Sequence, residues 1–140
     1  MSGRYYINAT EVRREFSQTI DNAIYSKPQF IKRTHNHLIL IKEEELNSLL
    51  SDYRFDVAFI EEDDGTYIAK ISIIEDVFAT GVTKQEALDS LCTELIEYAE
   101  EYYANYDLYT KTSNRKSHAP YVLKILSSPS IEAVKEMLNA

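Results

Sequence analysis

The sequence is poor in cysteine, glycine and proline, and it has no tryptophan. Its single cysteine, Cys92, excludes both an intrachain disulfide framework and a zinc site built from several cysteines. The chain has only three glycines and three prolines, and 44% of its residues are hydrophobic. Its composition is therefore that of a globular chain and not a disordered one. A length of 140 residues suits one domain, or two very small ones.

Long apolar runs are also missing. The longest unbroken aliphatic run is Leu38–Ile41, far short of the roughly 20 residues that span a bilayer. The first residues, MSGRYYIN, lack the basic-then-apolar pattern of a signal peptide. We therefore expect a cytoplasmic protein with no membrane partner.

The net charge of −8 is unevenly distributed along the chain. Residues 1–50 carry seven basic and six acidic side chains, whereas residues 51–110 carry three basic and fifteen acidic ones, a net charge of −12. Residues 111–140 return to a net charge of +3. Because an acidic segment repels phosphate, any contact with nucleic acid is expected in the first third of the chain.

Hydrophobic periodicity in the first third predicts the order β-α-β-β-α. The letters N-A-T-E from Asn8 have the spacing of a capping box, and a helix is expected from there to the stop at Lys27-Pro28. Residues 30–41 predict a hairpin whose tip holds Asn36 in left-handed geometry, and residues 43–50 predict a short helix. The apolar stripe of the first helix consists of Val12, Phe16, Ile20, Ala23 and Ile24.

The remainder predicts the order β-β-β-α followed by a helical tail. Two strands with alternating apolar residues flank the acidic turn 61–65, and a third strand is expected at 77–80. A capping box at Thr83–Glu86 opens a helix of about 22 residues, followed by a polar loop and a last helix that begins at Ser128-Pro129. The fold class is therefore α+β, with domains at 1–51 and 52–140.

The triplet His35-Asn36-His37 admits two interpretations. Alternate residues of a strand share a face, so two imidazoles could bind one metal ion. However, no third ligand lies close in sequence, and a hairpin tip requires only an asparagine that tolerates left-handed geometry. The sequence therefore favours a turn and predicts no metal and no cofactor, with a metal-dependent nuclease as a distant alternative.

Three further features have ordinary structural explanations. The acidic run at 61–64 is typical of a solvated hairpin turn, and Cys92, with no histidine near it in sequence, is expected to be a small core residue. The tyrosines of the long helix could stack on nucleic acid bases, but the carboxylates beside them would repel phosphate. Packing or a protein interface is the better explanation for these tyrosines.

A set of basic residues in the first third is the clearest functional pattern. Arg13 and Arg14 are expected in the first turns of a capped helix, where the helix dipole also favours phosphate. The alternative is an ordinary solvated face. The residues predicted to contact DNA are Arg4, Thr10, Arg13, Arg14, Lys32 and Arg33.

Two segments of the first third, INATEVRREFSQTIDNAI and FIKRTHNHLILIKEEELNSLL, resemble the N-terminal domain of Phd/YefM-type antitoxins. The resemblance implies a homodimer that binds operator DNA and represses its own operon, with Arg13 and Arg33 at DNA-contacting positions. Two departures lie in the second segment. His35-Asn36-His37 replaces the usual turn glycine, and Lys42 stands where a serine usually caps the next helix.

Residues 53–105 resemble the HicB-type antitoxin domain, through FDVAFIEEDDGTYIAKISI and FATGVTKQEAL, although that family's P-D-L-P-G-C segment is absent. The resemblance implies a degenerate ribonuclease-H-like fold that lacks the catalytic carboxylates and holds the toxin. The acidic charge predicts that this toxin is a small basic protein. The residues expected to bind it are Glu94, Tyr98, Glu101, Tyr102 and Tyr106.

Together these patterns predict a non-enzymatic antitoxin of a type II toxin-antitoxin system. It would neutralise a toxin by direct binding and repress its operon as a DNA-binding dimer. The alternative is a protein-interaction module that never binds DNA.

Overall fold

A computed structural model describes residues 5–139 of the chain, which divides into two compact units. The first unit ends at Leu46 and the second begins at Asn47. Each contains one three-stranded sheet with helices beside it, so the α+β fold class is confirmed. No helix within residues 5–139 is long and apolar enough to cross a membrane.

The first unit builds its sheet in the order β1-β2-β3. Strand β1 pairs parallel with β2, which in turn pairs antiparallel with β3. Helix α3 crosses the division between the units. The elements are β1 (Tyr6–Asn8), α1 (Ala9–Arg14), α2 (Phe16–Tyr25), β2 (Gln29–Arg33), β3 (Asn36–Leu40) and α3 (Glu43–Leu49).

The single helix predicted after Asn8 is wrong, because the chain forms two helices. Glu15 leaves helical geometry, with φ −117° and ψ 44°, and separates α1 from α2. Asn8 is the N-cap residue of α1, but its side chain makes no capping hydrogen bond. The break places Arg13 and Arg14 in the last turn of a six-residue helix, so the predicted help from the positive end of a helix dipole does not apply.

The hairpin tip also differs from its predicted geometry. The β2–β3 register pairs Arg33 with Asn36, which leaves Thr34 and His35 as the two turn residues. The left-handed residue is Thr34, with φ 57°, and not Asn36, which belongs to β3. A two-residue turn that matches the strand twist requires a positive φ at its first central position, and register alone puts Thr34 there.

The second unit places a long helix on an antiparallel sheet of order β4-β5-β6. Helix α4 packs on β5 and β6 and against α6 and α7. The predicted cap of α4 is confirmed, since Thr83 Oγ1 accepts a hydrogen bond of 3.1 Å from the Glu86 amide. The elements are β4 (Val57–Glu61), β5 (Tyr67–Ile71), β6 (Phe78–Gly81), α4 (Lys84–Ala104), α5 (Tyr106–Tyr109), the 3-10 turn Lys116–His118, α6 (Ala119–Leu126) and α7 (Ile131–Asn139).

The core of the second unit lies between α4 and the inner face of this sheet. Ala69 and Ile71 of β5 are fully buried, as are Leu91 and Cys92 of α4, so the prediction of Cys92 as a core residue is confirmed. The approach between helix and sheet is close at Gly81. A Cβ there would lie 2.3 Å from the main-chain nitrogen of Ala87, so only glycine fits.

The start of the last helix differs by two residues from the prediction. Helix α7 begins at Ile131, and the hydroxyl of Ser130 accepts a hydrogen bond of 3.1 Å from the Ala133 amide. Ser130 is therefore the capping residue, not Ser128. Ser128 instead donates its hydroxyl to the carbonyl of Lys124 near the end of α6.

Candidate functional site

The basic residues predicted to contact DNA lie on two neighbouring elements of the first unit. Arg13 and Arg14 are exposed on α1, and Lys32 and Arg33 are exposed at the end of β2. Helix α1 packs against β2, so the fold brings these two elements together. Thr10 is exposed at the start of α1. The prediction for Arg4 lies outside the described residues.

These cations differ in how far they are already paired. Arg14 lies 3.7 Å from the Glu11 carboxylate, in an exposed pair that contributes little stability. Within residues 5–139, no carboxylate lies in ion-pair range of Arg13 or Arg33. A guanidinium with no carboxylate partner can donate two parallel hydrogen bonds to phosphate or to a guanine edge. Arg13 and Arg33 are therefore the stronger candidates in this unit.

The first unit also exposes an unusual amount of apolar surface. Phe16 is 60% exposed on α2, and Leu38 and Ile39 are 52% and 56% exposed on β3. Of the apolar stripe predicted for one helix, Phe16 and Ile24 are exposed, whereas Ala23 is buried. We call the following residues the exposed apolar set: Phe16, Ile24, Tyr25, Leu38 and Ile39.

Two histidines that could have shared a metal ion have different positions in the hairpin. His35 is a turn residue, whereas His37 lies in β3 with its ring 4.6 Å from the ring of Tyr6. Among residues 5–139, no group of three or more histidine, cysteine or acidic side chains is arranged to hold a metal ion.

Two tyrosines predicted to bind the toxin are buried inside the second unit. Tyr98 is 7% exposed and Tyr102 is fully buried, so neither presents a surface for a partner in this structure. Their rings pack edge to face 6.0 Å apart, and Tyr102 packs in the same way on Tyr106, which is half-buried. The sequence carried the signal for this outcome, because these tyrosines continue the stripe that begins with Leu91 and Leu95.

These tyrosines hold the segment that follows α4 against the helix. The hydroxyl of Tyr102 donates a hydrogen bond of 2.8 Å to the carbonyl of Arg115. The guanidinium of Arg115 lies 4.5 Å from the centre of the Tyr109 ring. Arg115 also pairs with Asp76 at 3.6 Å. The polar stretch predicted as a loop is therefore anchored by contacts distant in sequence.

A buried hydrogen bond joins α4 to the 3-10 turn. The hydroxyl of Tyr98 and Nδ1 of His118 lie 2.7 Å apart, and His118 is only 4% exposed. Burial raises the pKa of Tyr98 to about 12, so its hydroxyl stays protonated. Burial also lowers the pKa of His118 below its ordinary value, which favours the neutral ring.

The acidic members of the predicted toxin site remain at the surface. Glu94 and Glu101 are exposed on α4, where they line a groove of about 300 Å³ together with Asp76 and Arg115. Glu101 already accepts a hydrogen bond of 3.1 Å from the hydroxyl of Tyr109. Tyr98, although almost fully buried, also lines this groove, so the structure brings Glu94, Tyr98 and Glu101 together there and leaves Tyr102 in the core.

The predicted boundary between the two domains, after Ser51, is held by hydrogen bonds within the second unit. Lys124 is buried, and its ammonium donates to the carbonyls of Ser51 and Tyr53. The side-chain amide of Asn47 also donates a hydrogen bond of 3.0 Å to the carbonyl of Lys124. Burial lowers the pKa of Lys124, and these carbonyls stabilise the ammonium in return. These bonds explain why the second unit begins before the predicted boundary.

The sheet of the second unit has an outer face that sequence analysis overlooked. The register places Ala58, Lys70 and Phe78 in one row across the sheet, and Ile60, Ile68 and Thr80 in the next. These residues lie opposite the face that packs on α4. Phe78 is 58% exposed and Ile60 is 42% exposed. The available signal was that both alternating positions of β4 carry apolar residues.

The comparisons with known proteins agree on one class. The sequence matches the model of the PHD_like family, described as "Antitoxin of toxin-antitoxin, RelE / RelB, TA system", over residues 4–140. The chain belongs to this antitoxin family. The match extends across both units, including the part in which the sequence resembles HicB-type domains.

A solved structure supports the same assignment for this antitoxin. A crystal structure from Syntrophomonas wolfei subsp. wolfei, described as the antitoxin part of a toxin/antitoxin system, shares 36% sequence identity and a TM-score of 0.88. The alignment covers 95% of each chain. A search of curated proteins gives no significant match.

Proposed function

We propose that this antitoxin is a homodimer that binds operator DNA through its first unit and represses its own operon. The observation that carries the proposal is the pair Arg13 and Arg33, exposed on packed elements and without carboxylate partners among the described residues. Lys32, adjacent on β2, adds a third cation. Phosphate contacts from such side chains supply most of the sequence-independent affinity for DNA.

The exposed apolar set supports the homodimer. A unit of fewer than fifty residues seldom buries enough apolar surface to be stable alone. A second copy would cover side chains such as Phe16 and Leu38, and it would also double the number of basic residues along the DNA. Two half-sites in the operator would then mirror the two-fold symmetry of the protein.

The second unit is proposed to neutralise the toxin by direct binding. Its charge supports this role, since residues 51–110 have a net charge of −12 and would attract a small basic protein. The RelE/RelB description of the family suggests a toxin of that class. Binding and repression require no catalytic step, so the proposed role is non-enzymatic, and it is exercised in the cytoplasm.

A gel-shift series on the DNA upstream of the gene tests the DNA-binding proposal. Arg13→Ala and Arg33→Ala should each weaken binding and reduce the slope of log affinity against log salt by about one for each phosphate that is no longer neutralised. Lys27→Ala is the matched control, because Lys27 is an exposed cation in the loop between α2 and β2. Binding that is unchanged by both arginine substitutions would overturn the assignment.

A protein-interaction module without DNA binding is the second candidate. The acidic second unit favours it, since that unit needs no DNA to attract a basic partner. Failure of the wild-type protein to bind upstream DNA at any salt concentration, with the toxin still bound, would establish this alternative. We do not propose the nuclease, because His35 and His37 belong to no metal-binding group within residues 5–139.

A further inference from the structure

We infer that the outer face of the β4–β5–β6 sheet is the surface to which the toxin binds. We call this surface the outer sheet face and define it by Ala58, Ile60, Ile68, Lys70, Phe78 and Thr80. The inference rests on the proposed function, since it requires a toxin partner. It moves the binding site away from the tyrosines of α4.

The centre of the outer sheet face is apolar and uncovered. Phe78 and Ile60 lie on the outer strands with 58% and 42% of their surface exposed, and Ile68 lies on the strand between them. The opposite face of the same sheet already packs on α4. Exposed aromatic and aliphatic side chains on a rigid sheet suit the central anchors of a protein interface.

Acidic grooves bound this apolar centre at both ends of the strands. At one end, Asp56 and Glu75 line a groove of about 540 Å³ that reaches Ala58 and Lys70. At the other end, Glu62, Asp63 and Asp64 line a groove of about 650 Å³ that reaches Thr80. An apolar centre between acidic rims fits a partner with an apolar patch flanked by lysine or arginine.

The charge pattern argues for the toxin and against a second copy of this chain. Two copies that met through this face would bring the acidic rims close to one another, and like charges at an interface are unfavourable. Of the six described residues that define the outer sheet face, Lys70 is the one cation. A single positive charge does not offset the carboxylates at the two ends of this face. A basic partner gains from both rims at once.

The test uses the full-length antitoxin, and its probe is the purified protein encoded by the neighbouring gene. Binding of the probe to the antitoxin is measured by calorimetric titration. Phe78→Lys should weaken binding at least tenfold, because it replaces an anchor by a cation facing a basic partner. Tyr103→Lys is the matched control, since Tyr103 is 64% exposed but lies on α4. Both positions are exposed, and thermal melting will verify that each variant is folded.

A second arm tests the acidic rims. The double variant Asp56→Asn, Glu62→Gln should lower the association rate constant severalfold at low salt and flatten its salt dependence. Glu132→Gln, an exposed carboxylate on α7, should leave both unchanged. Association kinetics that are identical for the double variant and the wild type would contradict a role for the rims.

The outcomes separate this inference from the proposed function. Wild-type protein that does not bind the probe would overturn the neutralising role, and the surface assignment with it. Normal binding by Phe78→Lys, or weakening confined to Tyr103→Lys, would overturn the surface alone. If Phe78→Lys changes the oligomeric state of the toxin-free antitoxin, a second copy of the chain occupies this face. That result would also overturn the assignment of the face to the toxin.

Discussion

The two units of this antitoxin differ most in how much of their apolar surface they bury. The second unit contains a continuous core of eighteen buried apolar side chains, several of them fully buried. In the described part of the first unit, Ala23 is the one apolar side chain that is buried. Since burial of apolar surface is the main source of folding free energy, the second unit has the means to fold alone and the first does not.

This difference bears on the kind of partner that would suit each unit. A unit without its own core gains stability from a partner that covers its apolar side chains, as a second copy would do. A unit with a complete core can offer a finished surface to a different protein, with no change in its own packing. The contrast therefore supports the proposal that the first unit dimerises and that the second binds the toxin.

Truncation of a core leucine gives the largest expected effect. Leu91 is fully buried beneath the sheet, so Leu91→Ala should lower the free energy of unfolding of the second unit by about 2–5 kcal/mol. The matched control is Leu49→Ala at a helix position that is 68% exposed, where a change within about 0.5 kcal/mol is expected. Urea unfolding followed by circular dichroism measures both. Equal costs would show that the described core does not stabilise the unit.

Dilution gives the next largest effect and tests the contrast between the units directly. If a second copy completes the first unit, a tenfold dilution should lower the stability of each first unit by about 0.7 kcal/mol, half of the change of about 1.4 kcal/mol per dimer, while the second unit is unaffected. Hydrogen exchange at two protein concentrations measures this, by comparing amides of α2 and β3 with those of α4. Protection of α2 and β3 that does not depend on concentration would contradict the proposed dimer.

Sequence alone predicts the elements that depend on strong local patterns. The cap at Thr83, the long stripe of α4 and the β2–β3 hairpin follow from residue spacing, because each is specified within a few positions. The break at Glu15 could not be predicted in this way, since neither glycine nor proline is near it. The same holds for the left-handed Thr34, which register fixes and local preference does not.

Prediction of the candidate sites from sequence has the same limit, because it extends only to local properties. The basic residues of the first unit could be grouped from sequence because charge is a local property, whereas the positions of Arg13 and Arg14 at the end of α1 could not. The stripe of α4 indicates which tyrosines are buried, but it does not give their hydrogen-bond partners. Tyr102 bonds Arg115, which lies 13 residues further along the chain, and Tyr98 bonds His118, which lies 20 residues further. Tyr103, one position off the stripe, is the exposed one, while Tyr102 is buried. The outer sheet face required the register of three strands before its residues could be grouped.

Protonation of His118, in the second unit, gives the smallest of these effects. His118 is buried in the second unit, where its Nδ1 lies 2.7 Å from the hydroxyl of Tyr98 on α4. Burial lowers its pKa, the neighbouring Arg115 adds to that effect, and Asp76 opposes it. The folded pKa therefore lies below the ordinary value of 6.5.

The sign of the pH effect follows from that shift. A histidine with a lowered pKa contributes stability that is fully present above pH 6.5 and is lost as the pH falls through the lower folded value, because the unfolded chain takes up the proton first. His118→Gln should reduce the loss of stability between pH 7 and pH 5, measured by urea unfolding, whereas His37→Gln in the exposed hairpin should not. The difference between the two variants removes the common contribution of the carboxylates. Identical pH profiles for wild type and His118→Gln would show that the buried bond to Tyr98 does not couple folding to protonation.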